Sequence, residues 1–150
     1  MFTFFIADGK INLGFRRQFN MELQPLKYGD LTHQIIGCAM RVHSYLGMGF
    51  PEIIYQRALL IELEKAGLNY QSEVEKEIYY QEQLIGKRRL DLIIENKVLV
   101  ELKAKRETDR GYYNQILNYL KIFEIEVGLF LNFGAESLQF KRLIQSKASA

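Results

Sequence analysis

The sequence is short of the residues that usually announce a redox or transition-metal centre. Cys38 is its only cysteine, which excludes a disulfide or a thiolate zinc site within one chain. Lying on the apolar side of a predicted helix, it reads as an inert core residue. His33 and His43 are the only histidines, and they stand ten residues apart on that helix, without the one-turn spacing that lets two imidazoles share a metal. His43 is expected to cap or pack. No stretch approaches the roughly 18 to 20 apolar residues needed to cross a bilayer. A secretory leader is not expected either, because residues 1–7 have no basic start and Asp8 interrupts the apolar run. A cytoplasmic protein without a membrane partner is the default.

The 150 residues suit one domain with a real core, and 48% hydrophobic with 25% charged residues is globular composition. A net charge of +2 permits nucleic-acid binding without arguing for it. Residues 1–20 read as an N-terminal arm or a small hairpin, since Phe2, Phe4 and Ile6 alternate before Asp8-Gly9, a type I′ turn signal, and Ile11, Leu13 and Phe15 alternate after it. The functional domain then spans 21–150.

Within it, a helix is expected from Asp30, capped by Asp30 or Thr32, with Ile35, Ile36, Ala39, Val42 and Leu46 on one face and Gly47 and Gly49 as the stop. A second begins at Pro51 and ends before Gly67. Alternation predicts a strand over 71–80, with Val74, Lys76, Ile78 and Tyr80 against Glu73, Glu75, Glu77 and Tyr79, and a turn at 81–83. Thr108 and Asp109 can cap a third helix, whose apolar side is Tyr113, Ile116, Leu117, Leu120 and Phe123, with Gln115 and Tyr119 on another face. Residues 127–133 form a buried strand that should lie parallel to the one preceding that helix. A last strand contains Leu138, Phe140, Arg142 and Ile144. The order ααβββαββ gives an α/β (α+β) domain, one mixed sheet of about five strands flanked by helices, with no repeat or linker.

Residues 90–104, LDLIIENKVLVELKA, carry the chemistry. Two Leu/Ile/Val runs flank Glu95, Asn96 and Lys97, so the stretch reads as a β-hairpin. With a three-residue loop Ile94 pairs with Val98, and counting outward sets Asp91 opposite Glu101; a two-residue loop would set Asp91 against Leu102 instead. Facing carboxylates repel and need compensation. Mg²⁺ would supply it, with Asp91, Glu101 and the carbonyl of Leu102 as oxygen donors and Lys103 on the same face as a charge beside a developing anion. The alternative is an amphipathic hairpin whose charges are merely solvated. Lys87, Arg88 and Arg89 before Asp91, and Lys103, Lys105, Arg106 and Arg110 after Glu101, bracket the acids as a phosphate-backbone binder would require.

Asp91 with Glu101-Leu102-Lys103 resembles the D...ExK signature of the PD-(D/E)xK nucleases. Together with Gly49-Phe50-Pro51-Glu52-Ile53-Ile54-Tyr55, Gln115-Ile116-Leu117-Asn118-Tyr119 and Leu131-Asn132-Phe133-Gly134, the chain from about Leu31 to Ile144 resembles the GxxExxY proteins of that superfamily. The resemblance implies a restriction-endonuclease-like fold and a nuclease dependent on Mg²⁺ or Mn²⁺, with Asp91, Glu101 and Lys103 as catalytic residues. It implies that Glu52 joins Asp91, Glu101 and the Leu102 carbonyl at the metal, and that Gln115 and Tyr119, with the bases Arg89 and Lys105, contact nucleic acid, DNA being the expected kind. Many relatives carry His three residues before that Gln; here the position is Tyr112, which leaves no imidazole to move a proton. The alternative is a nucleic-acid-binding or regulatory module that keeps the fold without cutting. A homodimer would suit an enzyme that cuts two strands, although no segment identifies an interface.

Overall fold

In the computed structural model, which describes residues 26–146, three helices and five strands follow the expected order. The arm or hairpin read over 1–20 lies outside the described residues. Helix α1 (Gly29–Leu46) starts earlier than expected, after Tyr28, whose φ of 55° turns the chain. Asp30 and Thr32 therefore fall inside the first turn and cap nothing. The Thr32 hydroxyl instead donates back to the Tyr28 and Gly29 carbonyls, at 3.2 and 3.1 Å, and Asp30 lies where the helix dipole favours an acid. Gly47, at φ 67°, ends the helix and donates its N–H to the His43 carbonyl. Helix α2 (Glu52–Lys65) follows Pro51.

Strands β1 (Tyr70–Tyr80) and β2 (Gln83–Ile94) form a long antiparallel hairpin. Its turn is shorter than expected: Gln81 and Glu82, both at positive φ, make a two-residue connection, and Gln83 already belongs to the strand. Strand β3 (Val98–Lys103) runs antiparallel to β2 with Ile94 opposite Val98, as the three-residue loop requires. Helix α3 (Arg110–Phe123) carries the chain to β4 (Val127–Asn132), parallel to β3, and β5 (Gln139–Ile144) closes the sheet in the order β1-β2-β3-β4-β5. Asp109 caps α3 by accepting the Gly111 N–H at 2.7 Å.

Each face of the sheet has its own core. On one, α1 and α2 pack Ile35, Cys38, Val42, Tyr55, Leu59 and Leu63 onto Leu92, Val98, Val100, Leu102, Leu129 and Leu131. On the other, α3 packs Ile116, Tyr119 and Leu120 onto Leu90, Ile93, Leu99 and Phe130. The apolar side of α3 is thus rotated from the expected one: Leu117 is 38% exposed, whereas Tyr119 is 5% exposed and belongs to the core. The cause lies in β4, where Gly128 lets Ile116 approach so closely that a Cβ would meet its Cγ2 at 2.8 Å, and this fixes the helix's rotation.

Candidate active site

A strand keeps residues two apart on one face, and β2 breaks that rule at Asp91. Leu92 packs in the α1/α2 core while Leu90 packs with Val74 on the α3 side. The strand therefore twists through Asp91, beside Glu73, whose φ of 54° departs from strand geometry. The β2–β3 ladder runs only from Ile94↔Val98 to Leu92↔Val100. At the next step side chains take over from backbone. The Asp91 N–H donates to Glu101 Oε1 at 3.1 Å, and the Leu102 N–H donates to Asp91 Oδ2 at 2.8 Å. Two carboxylates are thereby fixed by each other's strands, and Glu101 is 5% exposed.

The carbonyl of Leu102 turns the same way. On the β4 side it is the Lys103 carbonyl that accepts the Phe133 N–H, at 2.8 Å. Alternation along a parallel ladder then directs the polar groups of Leu102 towards β2, where its N–H already meets Asp91. Hard oxygen donors of this kind suit Mg²⁺ or Mn²⁺ rather than a soft metal.

Burial governs the electrostatics. It pushes the Glu101 carboxyl up to about 8, with the negative charge of Asp91 adding to the rise and Lys103 opposing it. Asp91 is raised too, chiefly by burial, against the Leu102 N–H and the side chain of Glu101, which favour its charged form. Burial thus favours the neutral form of both groups, and at this separation neither titrates independently of the other. Glu52, at the first turn of α2, is raised by burial and then by the charge of Asp91, while Lys103 and Lys105 pull it down. The structure thus brings Asp91, Glu101 and Lys103 together and sets Glu52 within electrostatic reach. Among the described residues no group of three or more His, Cys, Asp or Glu side chains is gathered where it could hold a metal ion; Asp91 and Glu101 are the two carboxylates that the β2–β3 hydrogen bonds bring together.

Two segments lock this corner of the molecule. Asn132, fully buried at the end of β4, accepts the Lys105 N–H at 2.9 Å and donates to the Lys105 carbonyl at 2.8 Å and to Gln139 Oε1 at 2.9 Å. It also accepts the Gly134 N–H at 3.1 Å. Gly134 passes so near the chain leaving β3 that a Cβ there would lie 2.2 Å from the Lys105 nitrogen. Phe133, between them, stacks on Tyr55 at 4.8 Å and beside His43 at 6.5 Å. Tyr55 is fully buried; its hydroxyl donates to the Gly47 carbonyl at 2.6 Å and accepts the Phe50 N–H at 3.2 Å. It clamps the α1–α2 turn and so fixes where Glu52 stands. His43 packs, as expected, with Nε2 2.9 Å from the Ala135 carbonyl oxygen.

The remaining sequence candidates fall in different settings. Gln115 Nε2 donates to the Tyr119 hydroxyl at 2.9 Å, so Gln115 supplies the hydrogen bond that a buried phenol requires. Arg89 pairs with Glu73 across the β1–β2 hairpin. Lys105 is exposed while its backbone is held by Asn132. Tyr112, where relatives have His, stacks on Phe130, and the Lys103 Nζ lies over its ring at 5.2 Å. Sequence reasoning missed the bridging role of Asn132 and the steric role of Gly134, although both belong to a motif it had singled out. The signal was there as residue type: an amide closing an otherwise apolar strand and a glycine two residues on.

A five-stranded mixed sheet with three helices, in the order observed, is an α+β architecture of the restriction-endonuclease-like kind. The sequence pattern of the PD-(D/E)XK nuclease superfamily matches residues 29–143, and the chain belongs to that superfamily. Among solved structures it is similar to the crystal structure of SSO0001, with a TM-score of 0.53 and 21% identity over 81% of this chain. At that identity the likeness is one of fold. The chain corresponds to 61% of that structure's length. No curated protein is significantly similar.

Proposed function

We propose that the protein is a divalent-metal-dependent nuclease that hydrolyses phosphodiester bonds, DNA being the preferred substrate, and that within its superfamily it belongs with the GxxExxY proteins. The observation that carries this reading is the pair of half-buried Asp91 and buried Glu101, in which each carboxylate is fixed by a backbone N–H at a step where the ladder opens. Two carboxylates set together with burial acting against their charge are costly as a structural device, and a cation supplies what the pair lacks. Asp91, Glu101 and the Leu102 carbonyl would hold Mg²⁺ or Mn²⁺, with Glu52 as a further carboxylate beside them. A cation bound there lowers the pKa of water and polarises a phosphate.

The chain's own groups do the rest. Lys103 places a positive charge on the face that Glu101 occupies, where it offsets the charge that builds on phosphate oxygens. Lys105 and Arg89 add charge for the substrate backbone, and Gln115 and Tyr119 form the neighbouring wall. The test is incubation with linear, circular, single-stranded and branched DNA and RNA in Mg²⁺ or Mn²⁺. Cleavage that disappears in Glu101→Gln supports the reading, as does calorimetric Mn²⁺ binding lost in Asp91→Asn. Cleavage of none of these substrates would make the protein a non-catalytic module on the nuclease fold.

A further inference from the structure

The outer half of the β1–β2 hairpin extends beyond both cores, and its two faces carry different charge. On one face acids meet bases: Glu75 stands opposite Arg89, Lys87 reaches Glu77 at 3.5 Å, and Arg89 pairs with Glu73. On the other face Lys76 stands directly opposite Arg88. Like charges across a strand pair destabilise it, and among the described residues neither forms an ion pair. The Lys76 Nζ lies 5.8 Å from the Phe123 ring centre, and Arg88 donates only to its neighbour's carbonyl. This is the α3 side of the sheet, to which Val74 and Phe123 belong. Lys103, over Tyr112, and Lys141, over Tyr113, flank the same helix.

We propose that this face of the hairpin is a second, non-catalytic contact for the phosphate backbone of a nucleic-acid duplex, with Lys76 and Arg88 as its phosphate-binding pair. The proposal rests on the nuclease reading for its partner. Arg88 is three residues along β2 from Asp91, on the order of 10 Å at about 3.3 Å per residue, so a backbone strand engaged at the carboxylate pair can reach both. Charge complementarity selects the occupant: the face offers unpaired cations, whereas the opposite face has already matched its own.

The experiment is binding of a labelled DNA duplex in EDTA, between 50 and 200 mM salt, by the wild-type chain, Lys76→Gln/Arg88→Gln and Lys87→Gln. All three positions are exposed, and unchanged melting temperatures confirm intact folds. The double variant should bind more weakly, with a slope of log affinity against log salt shallower by about 2, roughly one per phosphate contact. Lys87→Gln, which removes a charge from the ion-paired face of the same hairpin, should change the slope by less than half a unit. Absence of duplex binding by the wild type, or equal slopes for all three, overturns the proposal. Cleavage in Mg²⁺ or Mn²⁺ is read separately, so a normal nuclease with equal slopes refutes only the second contact. A slope loss without any cleavage refutes only the nuclease.

Discussion

Strand β2 spends its two halves in opposite environments. From Leu90 to Ile94 it lies between two cores, and the acid it carries there, half-buried Asp91, is held by a backbone N–H and faces the buried Glu101. From Gln83 to Arg89 nearly every residue is exposed, and two of its three charges, Lys87 and Arg89, meet acids across the strand pair in solvent. The same residue types therefore have different physics within one strand. In the buried half charge is costly and geometry is fixed; in the outer half charge is cheap, screened and adjustable.

That contrast can be broken most severely at the lock behind the site. Gly134→Ala places a methyl against the backbone of Ala104 and Lys105, and a clash with backbone exceeds the usual overpacking cost of about 1–3 kcal/mol. Denaturant unfolding should show a loss of at least about 3 kcal/mol, or no soluble protein; a near-native midpoint would mean that the close approach is not rigid. Asn132→Ala removes four hydrogen bonds and leaves the Lys105 and Gly134 groups without that partner. A loss of about 2–4 kcal/mol is expected from the usual cost of unsatisfied buried groups, read as a lower unfolding midpoint.

A subtler difference between the halves is pH dependence. Folding raises the Glu101 carboxyl from 4.5 to about 8, so the native state binds its proton more tightly than the unfolded chain does. The stability from this protonated form is full below 4.5 and is lost as pH rises towards 8. Metal-free protein should therefore become less stable across that window, and Glu101→Gln should flatten the trend; an unchanged slope would mean that the carboxyl is not held protonated. In the outer half, Glu77→Gln should leave the unfolding midpoint almost unchanged, because an exposed ion pair contributes little. A clear drop would show that the hairpin's ion-paired face is more than a solvated surface.

The inner hairpin was legible because its signals are local. Counting outward from Glu95, Asn96 and Lys97 gives Ile94↔Val98, and the observed contacts of Asp91 and Glu101 follow that count. Parallel pairing of β3 with β4 followed from the intervening helix. The mistaken details share a different origin. Thr32 has the chemistry of a cap, but packing starts α1 before it. Tyr119 and Leu117 exchange places because Gly128, distant in sequence, lets α3 settle deeper on one side.

By itself the sequence determined the order of the elements, the inner register and the acids and lysine available for chemistry, since periodicity, turn length and residue type act over a few neighbours. Only the tertiary structure decided that β2 changes face at Asp91, that burial raises the Glu101 carboxyl, and that Asn132 and Gly134 hold the strand end in place. Those outcomes depend on burial and on contacts between residues far apart in the chain, and no local pattern encodes how closely two backbones will pass.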